Sequence, residues 1–118
     1  MTMSDKSRAA PHLYLGEFEL LVLLAIVRIG PVAYGVTIRD ELERETSREV
    51  TLGAVYKTLG RLEQKGYVDV RIGAPTAERG GRRKKLYHLQ PLGTRALRES
   101  LATLRRLTRS LGRELEAL

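Results

Sequence analysis

Apolar positions recur at three- and four-residue spacing through the first half of the chain, as in amphipathic helices. The first predicted helix begins at Gly16 and ends at Gly30, because glycine is a favoured residue at a helix end. The second covers residues 36–45. After a short polar turn the third covers residues 52–65, with Thr51 as its N-cap. Nearly every face of the first helix is apolar, so we expect it at the centre of the core or, in addition, at an interface.

The spacing then changes to two, which is typical of half-buried strands. Apolar and charged residues alternate over residues 68–72. Residues 83–90 form a second predicted strand, with Tyr87 and Leu89 as its inward side chains. The segment 73–82 between them is rich in glycine and charge. These features predict a β-hairpin with a long cationic tip.

Pro91 opens the last predicted helix, because proline is favoured at the first helical position. From residue 97 a four-three spacing places leucine along one edge of that helix. A lone helix with such an edge is marginal in water, so we expect it to pair with a second copy of the chain. The alternative is that the edge folds back on its own domain. The edge comprises Leu97, Leu101, Leu104, Thr108, Leu111, Leu115 and Leu118.

The patterns predict three parts: a flexible polar tail at residues 1–12, one domain at residues 13–90, and a C-terminal dimerisation helix at residues 91–118. A length of 118 residues suits a single domain. The order of three helices, a hairpin and a last helix predicts a mainly α fold with a small β-hairpin (α+β). This order is that of a winged helix-turn-helix.

Composition argues against catalysis and metal binding. The chain has no cysteine and two histidines, which leaves no thiolate zinc site and no cysteine nucleophile. No phosphate-binding loop and no Gly-x-Ser-x-Gly motif occur. The acidic residues Glu41, Glu43 and Glu45 are expected to form a solvated helix face. We therefore predict neither an enzyme nor a protein with a metal or cofactor.

The longest apolar run, residues 20–27, is far shorter than the ~20 residues that a membrane span needs. Residues 1–11 lack the apolar stretch of a signal peptide. We expect a soluble, cytoplasmic protein without a membrane partner.

Charge is unevenly distributed along a chain of net charge +7. Residues 1–50 carry 6 basic and 8 acidic side chains, whereas residues 51–118 carry 15 basic and 6 acidic ones. A cationic half joined to an acidic half predicts a face for a polyanion.

In a winged helix, the helix after the turn enters the DNA major groove and the hairpin contacts the backbone or minor groove. The third helix should bury Leu52, Val55, Leu59 and Leu62 and expose Thr58 with its polar side chains. We predict double-stranded DNA as the partner, because small residues allow close approach and basic ones pair with phosphate or guanine. The predicted DNA contacts are Thr51, Gly53, Ala54, Tyr56, Lys57 and Arg61 from the third helix, and Arg79, Arg82, Arg83 and Lys84 from the hairpin.

Several motifs, in order, resemble the PadR family of bacterial transcriptional regulators. They are LGEFE at residues 15–19, Tyr34-Gly35, TLGAVYKTLGRLEQKGYV at residues 51–68, and GRRKKLYHL followed by Pro91-Leu92-Gly93. The resemblance covers about residues 13–100. The short length and single C-terminal helix are similar to the small subfamily.

The resemblance implies a homodimeric repressor that binds an inverted repeat and dimerises through the C-terminal helix. It also implies a small-molecule effector that relieves repression. Family members that bind planar drugs hold them between tryptophans, and this chain has no tryptophan. The alternative function is a winged-helix module that binds an acidic protein and no specific DNA.

Overall fold

The computed structural model describes residues 13–75 and 83–118. It confirms a mainly helical fold with one antiparallel two-stranded hairpin. The predicted tail at residues 1–12 and most of the predicted hairpin tip lie outside the described residues. The elements are α1 (Glu17–Ile29), α2 (Gly35–Thr46), α3 (Leu52–Gln64), β1 (Val68–Pro75), β2 (Arg83–Leu89), α4 (Pro91–Thr108) and α5 (Gly112–Glu116).

The predicted helix ends have the expected local chemistry. Gly30 follows α1 with a φ of 85°, a conformation that favours glycine. Thr51 caps α3, because its Oγ1 accepts a hydrogen bond of 3.1 Å from the Ala54 N–H. Ser47 ends α2 in the left-handed region, which allows the tight turn into α3.

The core lies where α1 packs on α2, α3 and α4, as expected for a central helix. Two parts of the predicted burial are wrong. Thr58 of α3 is 3% exposed instead of solvent-facing, and Leu52 is only half-buried. Four residues of α1 form the centre of the core with exposures of 3% or less: Val22, Leu23, Ala25 and Ile26.

The hairpin joins the helical core through its inner face. Val68 pairs with Leu89 and Val70 with Tyr87 in the antiparallel register. The Tyr87 N–H also donates a 2.8 Å hydrogen bond to the Ala33 carbonyl in the loop between α1 and α2. Toward the outer end of the hairpin the alternation of apolar and charged residues no longer corresponds to burial, since Ile72 is 56% exposed. The hairpin therefore extends beyond the core that supports its base.

The prediction of one continuous C-terminal helix is wrong. α4 ends at Thr108, Ser110 adopts a φ of 64°, and α5 follows after this turn. The Thr108 hydroxyl lies 2.8 Å from the Leu104 carbonyl oxygen and donates to it. Such bonding by threonine, with serine and glycine close behind, weakens the end of a helix. Leu111 and Leu115 are thereby separated from the α4 part of the leucine edge.

The acidic face of α2 is not simply solvated. Glu41 is 7% exposed and accepts hydrogen bonds from Arg28 of α1 and Arg44 of α2. The hydrogen bond from Arg28 is the largest effect that lowers the pKa of Glu41. Glu43 accepts a 3.0 Å hydrogen bond from the Val50 N–H. These carboxylates connect α2 to its neighbours, so they have structural roles.

No helix in the described part of the chain combines the length and the apolar character that a membrane span requires.

Candidate nucleic-acid interface

The first turns of α3 present an exposed surface with open space in front of the backbone. All six predicted contacts of this helix are exposed. A Cβ atom built on Gly53 meets nothing within 4 Å, so the backbone is accessible there. Thr51, which caps the helix, lies beside it. The surface can therefore approach a ligand closely along its backbone. The six residues are Thr51, Gly53, Ala54, Tyr56, Lys57 and Arg61.

Tyr56 lies against the beginning of α2. A Cβ on Gly35 would lie 2.3 Å from the Tyr56 hydroxyl oxygen, so only glycine leaves room for this ring. The side chain nevertheless remains 47% exposed. The contact orients Tyr56 between the two helices of the helix-turn-helix. The Tyr34-Gly35 motif marks this position in the sequence. The spacing of residues does not show that Tyr56 packs against Gly35.

The cations of α3 are free to act on a ligand. Lys57 and Arg61 form no ion pair with a carboxylate of residues 13–75 or 83–118. Arg83 on the hairpin is exposed as well. The exposed part of α3 therefore carries a net positive charge, since Lys57 and Arg61 outnumber Glu63.

Lys84 has a different environment from the one predicted. It is half-buried, and its ammonium nitrogen lies 5.1 Å from the centroid of the Tyr34 ring. Such a distance is typical of a cation–π interaction. Lys84 thus connects the outer part of β2 to the loop between α1 and α2. The neighbouring Arg71 and Lys85, which were not among the predicted contacts, are exposed on β1 and β2. Arg79 and Arg82 lie outside the described residues.

An ion pair connects the C-terminal end of α3 to α1. Lys65 Nζ lies 2.9 and 3.0 Å from the two carboxylate oxygens of Glu19, which is 8% exposed. Burial would raise the pKa of Glu19, but hydrogen bonds from Lys65 and from the Gly16 N–H outweigh it and hold this pKa below its usual value. The pair therefore sets the position of α3 relative to α1.

We expect Glu19→Gln to lower the free energy of unfolding by about 1–2 kcal/mol near neutral pH, because charge-assisted hydrogen bonds are lost. The folded-state pKa of Glu19 lies below the unfolded one. The pair therefore contributes fully above the unfolded pKa, and this contribution is lost as the pH falls through the folded pKa. Urea unfolding at several pH values should show the difference between wild type and variant shrinking on acidification. Glu63→Gln, at an exposed position of α3, is the control. A pH-independent difference would contradict this assignment.

An apolar groove of about 660 Å³ lies between α1 and α4. Leu20 and Leu21 of α1 face Leu104 of α4 across it. Leu104 is 48% exposed and the neighbouring Leu107 is 68% exposed, so this side of α4 is apolar without being covered. The part of the leucine edge on α4 therefore has room for another apolar surface.

A smaller cavity of about 240 Å³ lies at the turn between α2 and α3. Phe18 and Leu21 of α1 line it together with Ala54 of α3. Among the residues that the structure describes, no three histidine, aspartate or glutamate side chains are grouped as metal ligands. The exposed surface of α3 can bind anions through its exposed cations.

Comparisons with known proteins give a consistent family and fold. The sequence pattern of the family described as "Transcriptional regulator PadR-like family" matches residues 23–99. No curated protein matches the chain significantly. Among solved structures, a PadR family transcriptional regulator from Eggerthella lenta is 25% identical with a TM-score of 0.62, over 86% of this chain and 85% of that one.

Two further similar structures are those of complexes. The hsRosR-S1 complex is similar with 25% identity and a TM-score of 0.62, over 87% of this chain and 85% of that one. Bacillus subtilis PadR in complex with operator DNA has 21% identity and a TM-score of 0.59, over 72% of this chain and 47% of that one. The latter supports the fold alone.

Proposed function

Because the chain belongs to the PadR-like family of transcriptional regulators, we propose that it is a repressor that binds an inverted-repeat operator as a homodimer. The family consists of regulators, which agrees with the prediction that the chain is not an enzyme. The observation that carries the proposal is the exposed face of α3, which combines an open backbone at Gly53 with the unpaired cations Lys57 and Arg61.

In the proposed complex α3 lies in the major groove. The open backbone at Gly53 and the small Ala54 permit close approach, while Lys57 and Arg61 reach a phosphate or a guanine edge. Tyr56, oriented by its contact with Gly35, can donate its hydroxyl to a phosphate. Thr51 retains its hydroxyl proton for the same purpose, since its oxygen acts as the acceptor in the cap.

The hairpin contributes the second part of the proposed contact. Arg83 is exposed at the outer end of β2, and Arg79 and Arg82 belong to the segment that joins the strands. Arginine inserts favourably into a narrow minor groove. Lys84, whose ammonium group lies over the Tyr34 ring, is proposed to contact the DNA backbone beside Arg83. The hairpin would then add affinity along the backbone, whereas α3 supplies preference for a sequence.

The proposed dimer forms through residues 91–118. The leucine edge of α4 and the open groove toward α1 together provide an apolar surface that a second copy can cover. The turn after Thr108 allows α5 to reach the partner at another angle than a straight helix would. Six residues are proposed to take part: Leu97, Leu101, Leu104, Thr108, Leu111 and Leu115. The remaining domain, residues 13–90, is proposed as the DNA-binding unit.

Release by a small ligand is part of the same proposal. The groove between α1 and α4 has a volume within the range of ligand pockets. Its lining combines Leu20 and Leu21 with the carboxylates of Glu17 and Glu99. This suits an apolar ligand that carries a donor or cationic group. Since the groove borders the proposed dimer interface, an occupant would change the spacing of the two α3 helices.

Binding of a duplex from upstream of the protein's own gene, compared with a random duplex, tests the proposal. We expect Lys57→Ala to cost about 1–3 kcal/mol on the upstream duplex if this residue reads a base, and less on random DNA. Affinity should fall steeply with salt, with about −0.9 in the logarithmic slope for each neutralised phosphate. Gel shifts and fluorescence anisotropy at several salt concentrations measure both quantities.

Arg39→Ala, which removes a cation of α2 that already pairs with Asp40, is the matched control and should change neither affinity. If Lys57→Ala lowers the affinity for both duplexes equally, Lys57 contacts a phosphate and not a base. Failure of the wild-type protein to prefer any duplex over an acidic protein ligand would favour the protein-interaction module instead.

A further inference from the structure

The outer face of α4 carries a line of arginines that the proposed operator contact does not use. At 3.6 residues per turn, four of them fall within an arc of about 100° and extend over about 16 Å of the helix axis. All four are exposed. We call this set the arginine stripe: Arg95, Arg98, Arg105 and Arg106.

Within the described residues the arginine stripe lacks a carboxylate partner, although the exposed Glu99 lies one turn after Arg95. Across residues 13–75 and 83–118, none of its guanidinium groups forms an ion pair with a carboxylate. Its one side-chain hydrogen bond, of 3.1 Å, runs from Arg106 to the Thr103 hydroxyl oxygen. Four unpaired guanidinium groups on one helix face repel one another, and a polyanion would relieve this repulsion.

The arginine stripe stays accessible in the proposed dimer. Leu97 and Leu104 lie on the opposite half of α4, where the helix meets α1 and borders the groove. Covering the leucine edge with a second copy therefore leaves the arginines in solvent. α3 packs on α1, α2 and β1, so its exposed face is separate from the outer face of α4.

We propose that the arginine stripe is a second, sequence-independent binding surface for the phosphate backbone of duplex DNA. The guanidinium group binds phosphate oxygens in a bidentate manner, and the stripe contains arginine only. A duplex segment of about 16 Å carries on the order of ten phosphates on its two strands, so a helix along one side faces enough of them to pair with four arginines. A dimer on its operator could hold a second duplex segment through this surface.

Two other partners fit the arginine stripe less well. A membrane-bound helix inserts its apolar side, but the apolar side of α4 faces α1 and the groove. A specific protein partner needs a central apolar or aromatic anchor, and the centre of the stripe offers only Ala102. The phosphate backbone requires no such anchor.

Site-directed crosslinking tests the contact directly. The chain has no cysteine, so Ala102→Cys places a single attachment point for a photoreactive group at the centre of the stripe. We expect this group to crosslink to a random-sequence duplex, and the same group at Ser100→Cys, which lines the groove on the opposite side of α4, to crosslink at least fivefold less. Thr103 is not used for this control because it accepts the hydrogen bond of Arg106. Equal crosslinking from both positions, or none from position 102, would overturn the proposal.

Binding measurements provide an independent test in a background without the α3 cations. The Lys57→Ala/Arg61→Ala variant should keep weak binding to the random duplex at low salt. This residual affinity should fall about a hundredfold between roughly 50 and 200 mM salt if four phosphates are neutralised. Adding the four Arg→Gln substitutions of the stripe should abolish it, because glutamine keeps helix propensity but not charge. Four Arg→Lys substitutions should retain most of it.

The outcomes separate this inference from the proposed function. The stripe variant with four glutamines and an intact α3 should bind the upstream duplex within about threefold of wild type and keep its dimer mass. If residual binding survives the four glutamines, the arginine stripe is not the second surface. A wild-type protein without sequence preference would contradict the repressor while leaving the crosslink from position 102 unaffected.

Discussion

Gly53→Glu should abolish specific DNA binding without weakening the fold. The position is exposed, a Cβ there meets nothing within 4 Å, and the residue lies in the first turn of α3. A carboxylate at this point would face the phosphates at the closest approach of helix and DNA. Like charges across an interface cost several kcal/mol, so we expect at least a hundredfold loss of affinity.

Although Gly53→Glu should lower DNA affinity, it should raise the free energy of unfolding. Replacing glycine in a helix and placing an acidic side chain near its N-terminus are each favourable, together by about 0.5–1.5 kcal/mol. Thermal unfolding alongside gel shifts measures both effects. Val27→Glu introduces the same carboxylate at a 53% exposed position of α1, outside both α3 and the proposed dimer interface. The control should keep wild-type affinity, and an unaffected Gly53→Glu would mean that α3 is not the reading helix.

Leu104→Asp with Leu107→Asp should convert the protein into a monomer. Both side chains lie on α4 and are 48% and 68% exposed, so the charges cost little within one protomer. Leu104 belongs to the proposed dimer interface and Leu107 lies on the same uncovered side of α4, so a second copy would bury both charges without partners, which costs far more than the leucines contribute. Light scattering should report half the wild-type mass. The substitutions avoid Leu111, because the turn after Thr108 removes it from α4.

DNA affinity should fall with the dimer. Two α3 helices must be held about one helical turn of DNA apart to engage both half-sites, so a monomer retains only half of the contact. Val27→Asp with Val32→Asp is the matched control, since these residues are 53% and 56% exposed and lie away from α4. Persistence of the dimer in the leucine variant would place the interface elsewhere. Loss of the dimer in the valine control would point to α1.

Local signals account for what could be predicted well. Thr51 as N-cap, Gly30 after α1 and Pro91 at the start of α4 act within a few residues of their own position. The change of spacing from helical to strand-like likewise needs no tertiary contact. These local signals explain why the predicted order of helices and hairpin is confirmed. The resemblance to the family is confirmed as well.

The errors occur where a sequence pattern does not show which residues lie beside a given side chain in the folded protein. Leucine spacing continues past Thr108, but it does not reveal that Ser110 turns the chain. The charge of Glu41 suggested solvent, whereas Arg28 of α1 holds it at a buried position. The predicted DNA contact of Lys84 stays a prediction, and only the fold shows that this residue also lies beside Tyr34.

The amino-acid sequence by itself determined which segments are helices or strands, where most of them end, and which half of the chain is cationic. These properties depend on neighbours three or four residues away and on summed charge. Only the tertiary structure decided that Thr58 is buried, that Gly35 makes room for Tyr56, and that Lys65 pairs with Glu19. Periodicity identifies a face of a helix, but which groups cover that face depends on how distant segments pack, because burial and ion pairing act between residues that are far apart along the chain.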